Sequence, residues 1–241
     1  MARDNIYKST DVQAGTFEFN EAVAAVFPDM LQRSIPGYQQ TIEAIGMLAR
    51  RHVQPASHCY DLGCSLGAAT IAMRHGIEAQ GCKIIAVDNA SAMVERCRSI
   101  VAADDAETPV EVLLSDLQEV SIDNASMVVM NYTLQFLPQE ERAAVIRRIA
   151  NGMRPGGVFV LSEKVIDEDA ALDEHLTGLH HDFKRQNAYS ELEIARKRAA
   201  IDKVLVPETV ASHVARLKDA GFRHAGVWLR WFNFVSLLAI R

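Results

Sequence analysis

HCYDLGCSLGAATIAMRHGIEAQGCKIIAVDN, residues 58–89, reads as an apolar strand, a glycine turn, a helix and a second apolar strand that ends in an acid. A βαβ unit of this pattern brings the glycine turn, the helix N-terminus and the carboxyl end of the second strand around one crevice. That crevice is expected to hold a nucleoside. A dinucleotide fold would read G-x-G-x-x-G after the first strand, but Gly63 is followed by Cys64, Ser65, Leu66 and Gly67. Ser65 thus stands where a glycine would let the backbone approach a pyrophosphate. Asp88 closes the strand KIIAVD, where a carboxylate can accept both hydroxyls of a ribose. Ribose without pyrophosphate points to S-adenosylmethionine, and a purely structural βα turn with a strand-end acid is the competing reading.

Working outward, the turn D-L-G-C-S-x-G resembles the first motif of the class I S-adenosylmethionine-dependent fold, in which the methionine part lies by the turn. Downstream, the helix SAMVERCRSIVAADD leads through Pro109 to the strand VEVLLSDL, ending in Asp116. In that fold the position lies beside the adenine ring, where a carboxylate can accept from the exocyclic amine; a solvated turn acid is the alternative. A fourth strand, SMVVMNYTLQFL, carries Asn131 and Tyr132 at its carboxyl end, a place that favours ligand contacts. Asn131-Tyr132-Thr133-Leu134 replaces the N-P-P-Y of many amino-group methyltransferases, which argues against ordinary methylation of an exocyclic amine. Pro138 to Met153 is amphipathic, and the turn MRPGG before the fifth strand, GGVFVLSEKV, resembles the corresponding class I turn. The helix PETVASHVARLKDAGF, stopped at Gly221, and a two-strand end, HAGVWLRWFNFVSLLAIR, complete an α/β, Rossmann-like seven-stranded sheet with one antiparallel strand.

Two segments lie outside that plan. Residues 1–56 are expected as a helical N-terminal extension to a single α/β domain spanning the chain. Asn20 caps one helical pattern that carries Phe17, Phe19, Val23, Val26, Phe27, Met30 and Leu31. Pro36 opens the next, with Ile42, Ile45, Met47 and Leu48 facing inward. Tyr38, at its start, can reach over a cofactor or staple the helix entry. Residues 165–206, after the fifth strand, form a helical insert of two or three helices, where substrate-specific parts are usually added. His175, His180 and His181 are not spaced to put three ligands on one helix face, so no metal is expected. Arg196-Lys197-Arg198 reads by default as a solvated basic face.

Composition narrows the partners. The 241 residues hold 25 basic and 31 acidic side chains, a net charge of −6, with no basic tail or run, so direct nucleic-acid binding is not expected. No segment approaches the roughly 20 apolar residues of a membrane span, the N-terminus MARDNIYKST is not a signal peptide, and the expected location is cytoplasmic. Cys59, Cys64, Cys82 and Cys97 lack C-x-x-C spacing and are expected as reduced packing thiols.

FPDMLQRSIPGY, YDLGCSLGAAT, VDNASAMVERC, MNYTLQFL and HHDFKRQNAYSELEIARKRAAI together are similar to the carboxy-S-adenosyl-L-methionine synthase family. The similarity runs from near Gly15 almost to the C-terminus. It implies a homodimer that carboxylates the methyl group of S-adenosylmethionine with prephenate. The products would be carboxy-S-adenosyl-L-methionine and phenylpyruvate, the first passing to a separate tRNA carboxymethyltransferase that acts on wobble uridine. The same resemblance implies cofactor contacts at Tyr38, Gly63, Cys64, Ser65 and Asp88. It adds Asn89, Asp116, Leu117 and Asn131, and gives Arg198 the carboxylate being added. The family context KRSM is KRAA here, so the arginine matches and the flanking hydroxyl does not. A methyltransferase acting on a small molecule or tRNA, and a non-catalytic nucleoside-binding partner of a tRNA-modifying enzyme, are the alternatives.

Overall fold

In the computed structural model, residues 3–6, 18–201 and 204–241 are described, so Phe17 and residues 202–203 of the insert lie outside them. The strands are β1 (His58–Leu62), β2 (Lys83–Asp88), β3 (Val110–Leu114), β4 (Ala125–Asn131), β5 (Met153–Ile166), β6 (Glu208–Thr209), β7 (His224–Trp231) and β8 (Phe234–Ile240). Their order is β3-β2-β1-β4-β5-β8-β7, with β8 antiparallel to both neighbours and the other ladders parallel. This is the expected seven-stranded sheet. The two-residue β6, which pairs with β5, is an addition that was too short to leave a period in the sequence.

Both faces of the sheet are covered, which is why its central strands are mostly apolar rather than alternating. Met127 and Val129 of β4 pack with Ile45 and Leu48 of α2 (Tyr38–His52) and Met73 of α3 (Ala68–Gly76). Val128 and Met130 turn to the other face, against Val145, Ile146 and Ile149 of the helix Gln139–Gly152 and Leu217 of the helix Val210–Asp219. The helix Ser91–Ala103 covers β2 and β3, sealing Cys97 with Cys64 and Ala86. All four cysteines are buried and free, as packing thiols require.

The extension forms α1 (Glu21–Ser34) and α2. Asn20 caps α1 as expected, its side chain accepting from the Val23 amide at 3.1 Å. Pro28 sits inside α1 without ending it. One expectation fails: Met47 of α2 is 72% exposed, because Ile42, Ile45, Leu48 and Ala49 already fill the stripe that meets the sheet. The insert resolves into two helices, Ala170–Gln186 and Glu191–Ile201. Asp169 caps the first, accepting from the amides of Ala171 and Leu172.

A buried polar knot fastens the insert to the N-terminus. Lys197 lies 3.5 Å from the Asp4 carboxylate and 2.8 Å from the Ser34 hydroxyl, and the Tyr189 hydroxyl donates to Asp4. Arg33 stacks over the Tyr189 ring and donates to the carbonyls of Asn187 and Ala188, in the turn between the insert helices. The reading of Arg196-Lys197-Arg198 as a solvated face is therefore wrong in its middle residue. Burial alone would neutralise an isolated ammonium, and Lys197 is tolerated because Asp4 arrives from far along the chain to pair with it.

Candidate functional site

The turn after β1 is built around its backbone amides. Gly63 and Cys64 both donate to the Val87 carbonyl, at 2.8 and 2.9 Å, and Ser65 donates to Asp88 at 2.8 Å. Three amides that could otherwise have cradled a pyrophosphate are thus occupied inside the protein. Gly63 has φ 81°, and a side chain there would run into Thr133, so the tight turn lets the loop after β4 close over it.

Asp88 accepts from Ser65 through one oxygen and from Ala90 through the other, at 2.8 and 2.9 Å. Each oxygen keeps a further lone pair for a ribose hydroxyl. Burial raises the Asp88 pKa, and the Ala90, Ser65 and Asn89 amides work against that rise. Asn89 and Asp116, read separately in the sequence, are coupled: the Asn89 side-chain amide donates to Asp116 at 2.8 Å and ties the ends of β2 and β3 together. Leu117 packs half-buried beside the core. At the end of β4 the side-chain oxygen of Asn131 is buried and takes no donor among the described residues. Such an orphan is costly unless a ligand satisfies it, and the ammonium of a bound amino acid is a fitting donor.

These ends open into one cavity of about 610 Å³. Tyr38, Gly63, Cys64, Ser65, Asp88 and Asn89 line it. So do Asp116, Leu117, Asn131 and Arg198, which brings every expected site residue to one enclosure. Burial and the neighbouring Asp61 carboxylate hold the Tyr38 phenol well above its usual range, so Tyr38 meets a ligand as a neutral donor. Asp61, beneath the turn, is pushed up to about 6 by burial while Thr70 donates to it at 2.6 Å. The hydrogen-bonded Cys97 thiol and then burial hold the Cys64 thiol above its usual range, which favours the protonated form.

Sequence reasoning missed the far wall. Lys164, at the end of β5, and Lys184, on the first insert helix, line the cavity with Lys197 and Asn233. The signals were available: Lys164 sits at a parallel strand's carboxyl end, and Lys184 falls one turn beyond His180 on the same helix face. Glu163 is also unanticipated, since a fully buried acid in an apolar strand has no local signature. It accepts from the amides of Leu134 and Gln135 at 3.1 and 3.0 Å and so holds the loop after β4, with burial raising it to about 8. The three insert histidines do not converge. His180 is buried with its Nε2 2.8 Å from the Ser34 carbonyl, His175 is exposed, and among the described residues the one group spaced for a metal ion is His75, Asp104 and Asp105, outside the cavity.

Comparison with known proteins places the chain in a family. A family profile described as a methyltransferase domain matches residues 60–157. A carboxy-S-adenosyl-L-methionine synthase of Cronobacter sakazakii is 53% identical over 99% of this chain and 97% of its own. One of Aliivibrio fischeri is 54% identical over 99% of this chain and 98% of its own. The chain belongs to the carboxy-S-adenosyl-L-methionine synthase family. Synthases of this family match across the insert as well as the sheet, whereas solved structures share the fold alone. A putative O-methyltransferase of Nostoc punctiforme has a TM-score of 0.64 at 14% identity, over 98% of this chain and 67% of that one. Human N-acetylserotonin methyltransferase, solved with S-adenosylmethionine, has 0.58 at 17%, over 99% and 63%.

Proposed function

We propose that the chain makes carboxy-S-adenosyl-L-methionine by moving the carboxyl group of prephenate onto the methyl group of S-adenosylmethionine, releasing phenylpyruvate. The observation that carries this reading is the identity to the synthases over 99% of the chain, which includes the insert that a methyltransferase core does not need. Prephenate loses carbon dioxide and hydroxide as its ring aromatises, and the hydroxide takes a methyl proton to give water. The sulfonium stabilises the resulting ylide, and its carbon attacks the carbon dioxide. No strong protein base is required; the lining instead offers neutral Tyr38 and a Cys64 held as thiol, and water exclusion falls to the insert and the N-terminal helices.

In this reading Tyr38, Gly63, Cys64, Ser65, Asp88, Asn89, Asp116, Leu117 and Asn131 hold S-adenosylmethionine. Arg198 receives the new carboxylate, for which a planar fork is the fitting partner. The working form is a cytoplasmic homodimer; exposed Leu172 and Leu192 on the insert give a second copy an apolar surface. The product then serves a separate enzyme of tRNA wobble-uridine modification, and the net charge of −6 fits a chain that does not itself hold tRNA. The test is mass spectrometry of the nucleoside formed with S-adenosylmethionine and prephenate. A mass gain of one carboxyl on the methyl group is expected, and demethylated nucleoside alone would indicate a methyltransferase.

A further inference from the structure

The loop that follows β4 lies over the turn at Gly63, and two side chains that do not line the cavity hold it there. Tyr132, Thr133, Gln135, Phe136 and Leu137 of this loop line the cavity. Thr133 lies against Gly63, and Tyr132 has φ 62°, a left-handed conformation that a bulky residue adopts only when its surroundings enforce it. The Tyr132 amide donates to the Ser162 carbonyl at 2.7 Å, which anchors the start of the loop to β5. Beyond that point the chain has left the sheet, and its backbone polar groups need partners from elsewhere.

Glu163 and Arg142 supply those partners as complementary halves of one clamp. The two Glu163 oxygens accept one amide each, from Leu134 at 3.1 Å and from Gln135 at 3.0 Å. A carboxyl oxygen can accept in either protonation state, so this hold does not depend on the charge that burial opposes. Arg142, on the helix Gln139–Gly152, donates to the Leu137 carbonyl through Nε and Nη2 at 3.0 and 2.9 Å. Its Nη2 also donates to the Gln135 carbonyl at 3.1 Å, and its Nη1 is taken by Glu208, which accepts from Arg216 as well. Gln135 is the junction. Its carbonyl accepts the Val206 amide at 3.0 Å, from the chain returning out of the insert, and its side-chain oxygen accepts the Lys164 amide at 3.0 Å. Glu163 and Arg142 are both fully buried. A buried acid and guanidinium are often no better for stability than apolar residues of the same volume, which directs attention to what they position.

We propose that Glu163 and Arg142 are positioning residues for the cofactor: acting through the loop after β4, and touching no ligand, they set the affinity for S-adenosylmethionine. A loop whose first amides and last carbonyls are both fixed is already in its binding shape, so the ligand does not have to order it. Without the clamp the left-handed turn at Tyr132 relaxes, and Thr133 lifts from Gly63. Because the Val206 amide meets the same Gln135 carbonyl that Arg142 holds, the return from the insert is registered to this loop through one residue. The inference rests on the reading of this cavity as the S-adenosylmethionine site and is independent of the carboxyl donor.

The test uses the full chain with S-adenosylmethionine as the probe. Three quantities are measured: the calorimetric Kd, the thermal unfolding of the unliganded protein, and hydrogen exchange at the Leu134 and Gln135 amides. Glu163→Gln keeps the volume and one acceptor but turns a donor toward the other loop amide, and Arg142→Lys keeps the charge beside Glu208 and loses the fork. Glu163→Gln should raise the Kd about ten-fold and speed exchange at both amides, and Arg142→Lys should raise the Kd about five-fold. Ile149→Val, a core change on the helix that carries Arg142, controls for plain destabilisation: it should lower the unfolding temperature and leave the Kd within about two-fold. A Kd within about two-fold of wild type in Glu163→Gln overturns the proposal, and so does a rise that Ile149→Val reproduces. A raised Kd with unchanged exchange also overturns it, because the loop would then not be the route. If Glu163→Gln fails to fold, Arg142→Lys decides by the same criteria. Asp88→Ala separates this failure from that of the site itself: a Kd that rises there and not in Glu163→Gln sinks the clamp alone, and one that moves in neither sinks the site.

Discussion

The nucleoside end of the cavity and the insert end are held by different kinds of structure. At the nucleoside end, Ser65, Asp88 and Ala90 are joined by backbone amides within one βαβ unit, and a second strand end is tied in by Asn89 and Asp116. At the insert end, Lys197, Ser34, Tyr189 and Asp4 form one buried network from residues as much as 193 positions apart. A site built on adjoining strand ends keeps its geometry as long as the sheet exists. A site built on a distant charge pair exists only while both partners are docked.

The largest effect should therefore come from the pair. Asp4→Ala leaves Lys197 buried without its carboxylate, a loss of about 3–5 kcal/mol when one partner of a buried pair is removed. Urea unfolding measures it, and hydrogen exchange should show the insert helix that carries Lys197 opening before the sheet. Replacing both partners with apolar residues, Asp4→Leu with Lys197→Met, should recover most of the loss. A single-variant loss under about 1 kcal/mol would mean that the insert is held by its apolar contacts instead.

The same contrast explains what could be read in advance. Residues 58–89 declared strand, turn, helix and strand because period and turn chemistry are local, and every ligand expected from the strand ends lines the cavity. Burial of Lys197 was illegible because its partner lies near the other terminus. Run together as Arg-Lys-Arg, the three residues look solvated, and only the docked α1 shows which one turns inward. Met47 failed for a smaller reason: the stripe chosen from spacing was one residue too wide. Glu163 left no trace because a buried acid breaks the apolar pattern of a strand without saying what it will meet.

Next in size is Asp88→Ala. It removes the acceptor for two ribose hydroxyls, each charge-assisted bond being worth about 1.5–3 kcal/mol, and frees the Ser65 and Ala90 amides as well. The Kd for S-adenosylmethionine should rise ten-fold or more by calorimetry. Stability should change far less than in Asp4→Ala, because the strand end remains in the sheet. An unchanged Kd would break the comparison at its better-defined end.

Arg198→Ala sharpens the comparison from the other side. Arg198 lines the cavity yet is exposed in this chain, so its pairing with a product carboxylate is partly screened and worth about 1–3 kcal/mol. The carboxylated nucleoside should weaken by that amount while S-adenosylmethionine keeps its affinity, and Lys at this position should rescue only in part because a point charge cannot copy the fork. Equal losses for both ligands, or none, would reduce Arg198 to a surface cation.

The smallest effect is a pH dependence that isolates the knot without touching the sheet. Burial pulls Lys197 down to about 8 from an ordinary lysine value, while Asp4 works against that fall. Below that pH both the folded and the unfolded chain hold the proton, and the cost of burying the ammonium is constant. As pH rises through about 8, the folded chain sheds the proton while the unfolded chain keeps it, so stability should rise with pH, by about 1 kcal/mol over the first unit. The groups facing the ammonium are Asp4, Ser34 and Tyr189, with Arg33 and Asp29 behind them. Burial and then the Asp4 hydrogen bond hold the Tyr189 phenol above its usual range, so Tyr189 stays neutral through this window. Lys197→Met should flatten the rise measured by urea unfolding between about pH 8 and 9, whereas Lys184→Gln should leave it in place. A rise that persists in Lys197→Met would place the titrating group elsewhere and remove Lys197 from the list of cations the fold has to carry.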